Sequence, residues 1–362
     1  MNYSEIFKSK KDVIAKKRVC VGFDGFVDQM IRPVQSRQDE TTCTYYPTID
    51  KFGEKLASLA GRSGNFELIT TDMAFGGNAP HYANGLANMG VQVRCVGAMG
   101  YPNLNPIFDL NKNCELITMS EPGYSYAFEF NDGKVIMSDI EKINKLTWSD
   151  IVERLGGVDK IVEYFDDADI ITLVNWSYLV HFHEIYECFL EQVMPKLSKR
   201  DRVVYIDISD PAKRDPKEIT AMLKMFGKYS QYAPTILGVN KSEAMVIHNI
   251  ICEGEYKGSL EIARAIKEYS GIGTVIVHPV ESSAVVFDGG EIEVQGHVCE
   301  KPKKTTGGGD NFNSGFCAGL LAGLDMKGCL ISGMTTSHLY VKNGKCNSFD
   351  DICECMKMFD EE

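Results

Sequence analysis

The chain lacks a long hydrophobic run, a basic excess and paired cysteines, and each absence removes a class of function. The run within Lys304 to Leu324 is interrupted by Asp310, Asn311 and Asn313. That falls well short of the roughly 20 apolar residues needed to cross a bilayer, so no membrane partner is expected. The first eighteen residues are strewn with charge and carry no apolar core of a leader. Lys and Arg number 38 against 50 Asp and Glu, a formal net charge of −12. A nucleic-acid backbone needs a basic face, so no nucleic-acid partner is expected, whereas a free nucleotide needs only a few local groups. The 12 cysteines are scattered without a C-x-x-C pair, and only Cys353 and Cys355 form a close C-x-C. Reduced thiols in the core of a cytoplasmic protein fit this usage better than disulfides or zinc. Three motifs are also missing: G-K-[ST], G-x-G-x-x-G and G-x-S-x-G. Their absence argues against a P-loop, a dinucleotide oxidoreductase and a serine-hydrolase elbow.

What is present centres on Lys304 to Leu324, KTTGGGDNFNSGFCAGLLAGL. Gly307, Gly308 and Gly309 end at Asp310, and Phe312, Phe316, Leu320 and Leu324 then recur every four residues, as on one face of a helix. Gly315, Gly319 and Gly323 form a second row that lets the helix approach a neighbour. Glycines before a helix let backbone N–H groups converge, and the helix terminus adds partial positive charge, which together suit phosphate. Asp310 at that mouth reads either as a base or as a cap of the first turn.

A second glycine turn, FGGNAPHYANGLANMG over residues 75–90, also feeds a helix. Near the N-terminus, RVCVGFDGFVD over residues 18–28 reads as a buried strand entering a turn with Asp24 and Asp28. Acids at the carboxyl end of a strand are binding candidates in an open α/β sheet. GVNKSEA over residues 238–244 places Asn240 and Glu243 three apart at a strand-to-helix junction, where a helix cap is the competing reading. Residues 116–138 alternate Tyr124, Tyr126, Phe128 and Phe130, turn at Asn131-Asp132-Gly133 and return, which predicts a hairpin with one apolar face. From Ile151 onward helices alternate with strands: helices over 151–164, 183–197 and 216–226, and strands over 169–174, 203–208 and 235–239. That rhythm implies a parallel sheet covered on both faces. His181 and His183 lack metal-ligand spacing and read as structural.

The segment TTGGGDNFNSGF resembles the C-terminal signature of the ribokinase-like, or PfkB, family of carbohydrate and nucleoside kinases, D-T-x-G-A-G-D-x-F-x-x-G. Thr305, the glycines, Asp310, Phe312 and Gly315 match, while Lys304 stands where that signature has Asp. Residues 75–90 are similar to the family's other signature, with His81 in place of its customary Asn. The resemblance implies one three-layer, Rossmann-like α/β domain over residues 1–362, with a mostly parallel sheet and a small β-sheet lid from segments near 29–75 and 115–140. It implies ATP-dependent phosphoryl transfer to a primary hydroxyl of a sugar. Asp310 is then the general base, and the backbone of Gly307, Gly308 and Gly309 with Asp310 is the anion hole. Asp24, Asp28, Gly76, Gly77, Asn78 and His81 are the implied sugar ligands. Asn240, Glu243, Thr305 and Lys304 fall to the nucleotide, with Mg²⁺ met by Glu243 through water. ATP and Mg²⁺ are the implied cofactors, a monovalent cation is an open addition, and the lid is expected to form a homodimer contact. Two alternatives stay open. One is a nucleoside acceptor. The other is a catalytically weakened ligand-binding or regulatory protein, prompted by Lys304 and by His278-Pro279-Val280 where a T-L-G-like turn is expected.

Overall fold

The computed structural model describes residues 2–360. Its strands are β1 (Arg18–Phe23), β2 (Phe26–Arg37), β3 (Cys43–Tyr45), β4 (Leu68–Gly76), β5 (Gln92–Gly97), β6 (Cys114–Thr118), β7 (Gly123–Phe130), β8 (Gly133–Asp139), β9 (Ile170–Val174), β10 (Val203–Asp207), β11 (Thr235–Val239), β12 (Thr274–Val277), β13 (Ser282–Phe287) and β14 (Gly290–Gln295). Nine form one sheet in the order β14-β13-β12-β11-β10-β9-β1-β5-β6, parallel from β6 to β12 and antiparallel at β13 and β14. Strands such as Ile170–Val174 and Thr235–Val239 are buried throughout, as a sheet covered on both faces requires. One face packs on the helices Trp148–Leu155, Phe182–Gln192, Pro216–Lys228 and Ser259–Ser270. The other packs on Asn78–Asn88, Gly308–Ala322 and Met326–Asn343. The glycine row does its expected work at two of three positions. A Cβ at Gly315 would lie 2.6 Å from the Ser332 carbonyl, and one at Gly319 3.0 Å from the Cys329 backbone, so two helices meet almost backbone to backbone. Gly323 instead ends the helix in the left-handed conformation, φ 75°.

Three sequence expectations need correction. The helix over 151–164 is two helices, Trp148–Leu155 and Val158–Asp166, separated by Gly156 and Gly157 at φ 87° and 107°. Asp28 is not in a turn: it lies on β2, a 12-residue strand that the polar pattern after Gln29 concealed. Cys114–Thr118, within the segment expected for the lid, is the edge strand of the large sheet.

The remaining five strands make a second sheet, β3-β2-β7-β8 with β4 also paired to β2. One of its faces, with Asp28, Met30, Asp72, Ala74, Ser125, Ala127 and Lys134, looks into a cleft above the carboxyl ends of the large sheet. On the opposite face Phe128 and Phe130 are covered by Phe52 of the helix Ile49–Ala57, with ring centroids 6.2 and 5.6 Å apart. Part of that outer face stays open, with Met73 and Met137 about half exposed. Among the described residues no helix is long and apolar enough to cross a membrane.

Candidate active site

Two glycine turns bring two helix N-termini to one cleft of about 850 Å³. Gly307 is the N-cap of the Gly308–Ala322 helix, at φ 88° and with no side chain capping the first turn. A Cβ there would meet the Tyr340 hydroxyl at 2.8 Å, so only glycine fits. The Gly308 N–H is already used by the Thr305 carbonyl at 3.1 Å, which removes it from the expected anion hole. Gly309 is exposed, and among the described residues its N–H has no partner, so the cradle is the open turn around Gly309 rather than all three glycines.

Asp310 does not cap this helix. Its carboxylate accepts from the Asn78 amide, Nδ2 to Oδ1 2.9 Å, across the cleft from the other glycine turn. Burial, then the charges of Asp207 and Asp24, push its pKa well up, against the Asn78 bond that lowers it. A carboxylate with raised basicity beside an open phosphate cradle is equipped to take a proton from a hydroxyl.

At the second turn Gly77 adopts φ 93° and opens the Asn78–Asn88 helix. Asp24 fills that N-terminus from beneath, accepting from the Asn78 N–H at 2.9 Å and the Ala79 N–H at 2.7 Å, with Asn175 Nδ2 at 2.7 Å. Asp24 is fully buried and off the cleft wall. The expectation that it binds sugar is therefore corrected: its oxygens are committed to the protein. Burial raises its pKa to about 6 even so.

Asp28 does reach the cleft, lining the same cavity as Asp310. A Cβ on Gly76 would lie 2.4 Å from its Oδ1, so that glycine makes room for the carboxylate. Burial raises the Asp28 pKa, offset by Ser125 and by the charges of Lys304 and Lys134. His81 lines the cleft beside Gly77 and Asn78, packs tilted against Phe75 with ring centroids 5.3 Å apart and leaves a buried Nε2 without a partner. Burial, aided by Lys304, lowers its pKa to about 3, so it is neutral at pH 7. Lys304, expected on the nucleotide, lines the same cleft, and its charge acts on Asp28 and His81.

Asn240 and Glu243 form a reciprocal cap: Asn240 Oδ1 accepts from the Glu243 N–H at 3.0 Å and Glu243 Oε2 from the Asn240 N–H at 2.9 Å. Glu243 also lines the cleft, its pKa driven well up by burial and then by the Asp207 charge. Thr305 lies on the rim. His183 accepts from Trp176 Nε1 at 3.3 Å and is structural.

Asp207, Ser209 and Asn175, at the ends of β10 and β9, stand in no motif and were not expected at the site. Asp207 is buried, held by Asn313 Nδ2 at 2.5 Å and the Ser209 N–H at 2.9 Å, and burial raises its pKa. Among the described residues Asn175 and Ser209 are the two non-glycine residues at positive φ, 65° and 58°. Non-glycine residues rarely adopt that conformation outside special sites, which is the signal that the structure adds.

An open parallel α/β sheet, with acids and a phosphate cradle at its carboxyl ends and a second sheet over them, is the architecture of an ATP-dependent carbohydrate kinase of the ribokinase-like class. A ribokinase from Arabidopsis thaliana, complexed with ribose and ATP, is superimposable with a TM-score of 0.63 at 16% identity, covering 94% of this chain and 98% of that one. An adenosine kinase from Sinorhizobium meliloti matches at a TM-score of 0.63 and 17% identity, covering 95% and 99%. At those identities both speak to the fold alone. The sequence is more specific: residues 6–359 match the family model of prokaryotic ketohexokinase, and the chain belongs to that family. A ketohexokinase from Haloferax volcanii is 27% identical over 338 residues, 92% of this chain and 89% of that protein.

Proposed function

We propose that the protein transfers the γ-phosphoryl group of ATP to a primary hydroxyl of a ketohexose, with Asp310 as the base. The observation that carries this reading is the placement of Asp310 and Asp28 in one cleft beside an uncapped helix N-terminus. Asp28, Asn78 and His81 hold the sugar so that its hydroxyl meets Asp310. As that oxygen bonds to the γ-phosphorus, its proton passes to Asp310 and the bond to the β–γ bridging oxygen breaks, releasing ADP. The Gly309 N–H and the helix dipole receive the charge growing on the phosphoryl oxygens. Asp310 then gives its proton to water.

Mg²⁺ fits the remaining acids. The charge of Asp207 raises the pKa of both Glu243 and Asp310, and that of Asp310 raises the pKa of Glu243, a repulsion that a cation would relieve. Among the described residues no three His, Cys, Asp or Glu side chains converge into a metal cage. That suits an ion that would be held mainly by phosphates and water, with Glu243, which lines the cleft, as its protein partner through water. When bound, the ion neutralises phosphate charge. The expected homodimer rests on the half-exposed outer sheet face at Met73 and Met137, and sedimentation of the purified protein reads it.

The test is ATP consumption by the purified protein against ketohexoses, aldohexoses and nucleosides. Preference for a ketohexose supports the reading, and phosphorylation of nucleosides alone overturns it.

A further inference from the structure

Asp310 is aimed by one contact from outside its own helix, the Asn78 amide. An amide can present either its oxygen or its nitrogen to a neighbour, and only the nitrogen suits a carboxylate, which accepts and does not donate. Something must therefore hold the other end. Ser209 does: its hydroxyl lies 3.1 Å from Asn78 Oδ1. With Nδ2 committed to Asp310, that oxygen can only accept, so the direction of the whole chain is set. Ser209 Oγ–H donates to Asn78, and Asn78 Nδ2–H donates to Asp310.

A second observation makes Ser209 unusual. Its backbone sits at φ 58°, a region that side chains disfavour and glycine enters freely. The backbone bond from the Ser209 N–H to Asp207 Oδ1, 2.9 Å, needs no side chain. For the fold alone glycine is the better residue here. Serine keeps a strained backbone in exchange for one hydroxyl, and that hydroxyl goes to Asn78.

We propose that Ser209 is a positioning residue for phosphoryl transfer, fixing the Asn78 amide so that it orients the Asp310 carboxylate. The inference rests on Asp310 being the base. Its test is a pair of variants, Ser209→Gly and Ser209→Ala, made in the parent and in an Asn78→Ala background. Both lose the hydroxyl, but only glycine relieves the backbone. Melting temperature should thus be at or above the parent's for Gly and below it for Ala, while kcat falls about ten-fold in both, as for one lost hydrogen bond that matters in the transition state. KM for ATP should stay within about two-fold, since the cradle is untouched. With Asn78 already removed, neither substitution should lower kcat further. A folded Ser209→Gly variant with parental kcat overturns the proposal, as does an equal ten-fold loss without Asn78. Asp310→Asn separates the two readings. If it keeps parental turnover, the base assignment fails. If it is inactive while Ser209→Gly is unaffected, the base stands and the relay falls.

Discussion

The two glycine turns look alike in sequence and end differently. Gly76-Gly77 and Gly307-Gly308-Gly309 each open a helix toward the same cleft, yet the first helix is capped from below by Asp24 and the second by no side chain. The first N-terminus has its anion built in. It serves as a fixed shelf for Asn78 and His81. The second leaves its positive end uncapped by any side chain, with the Asp310 carboxylate held by Asn78. A glycine doublet before a helix thus signals a turn, and whether the turn binds an anion depends on what the rest of the chain puts there.

The largest expected effect tests the open turn. Asp310→Asn should lower kcat by about 10²-fold or more, with ATP binding largely retained, because the base goes and the cradle stays. Titration calorimetry with ATP, alongside the rate, reads both. The filled turn should respond the other way. Asp24→Asn keeps the shape but turns an amide toward groups that all donate, and should destabilise the fold by about 2 kcal/mol in denaturant melts, with nucleotide affinity of the folded protein unchanged. An effect confined to affinity would erase the contrast.

How much of this was legible beforehand follows the same division. Asp310 and the glycines stood out because a turn and a four-residue rhythm meet there. Asp207, Asn175 and Ser209 did not, because they end or follow short, almost wholly buried strands whose own sequence records only burial; the partners that give them meaning lie just after β1, on the Asn78–Asn88 helix and on the Gly308–Ala322 helix. The β2 strand was missed for a related reason: one face lines a polar cleft, so its residues do not alternate cleanly between core and water. Gly156-Gly157, by contrast, was a readable break within the helix expected over 151–164. Asn240 and Glu243 cap the helix as one reading had it, and Glu243 alone of the pair also lines the cleft, since one carboxylate can close a helix end and face a cavity.

Smaller effects sharpen the comparison. His81 is neutral in the fold, with its pKa lowered to about 3, and protonates near 6.5 when unfolded. The unfolded state therefore binds more protons between those values, and stability falls as pH drops through that window, by up to about 1.4 kcal/mol per pH unit from this group. Asp24, raised to about 6, opposes this: the folded state holds its proton longer, so its contribution is lost as pH rises from about 4 to 6. His81→Asn should leave a flatter acid limb in thermal melts across pH 4–6.5, and an unchanged limb would remove His81 from the account. The smallest change expected is at Lys304. Its charge holds the Asp28 pKa down, so Lys304→Ala should raise the sugar KM a few-fold, most on the acid side, and leave the ATP KM alone. A rise in ATP KM instead would return Lys304 to the phosphates.

Asp28 rides on the small sheet and Asp310 on a helix packed against the large one, and β1 passes into β2 through Asp24 and Gly25 alone. On the proposed reading, whatever parts the two sheets separates the acid that would grip the sugar from the acid that would deprotonate it. A lone water molecule in the nucleotide-loaded protein has no grip on the first and gains little from the second. On that reading, frugality toward ATP when sugar is scarce would follow from how the reactive groups are divided between two sheets, and idle hydrolysis is the quantity that would report it.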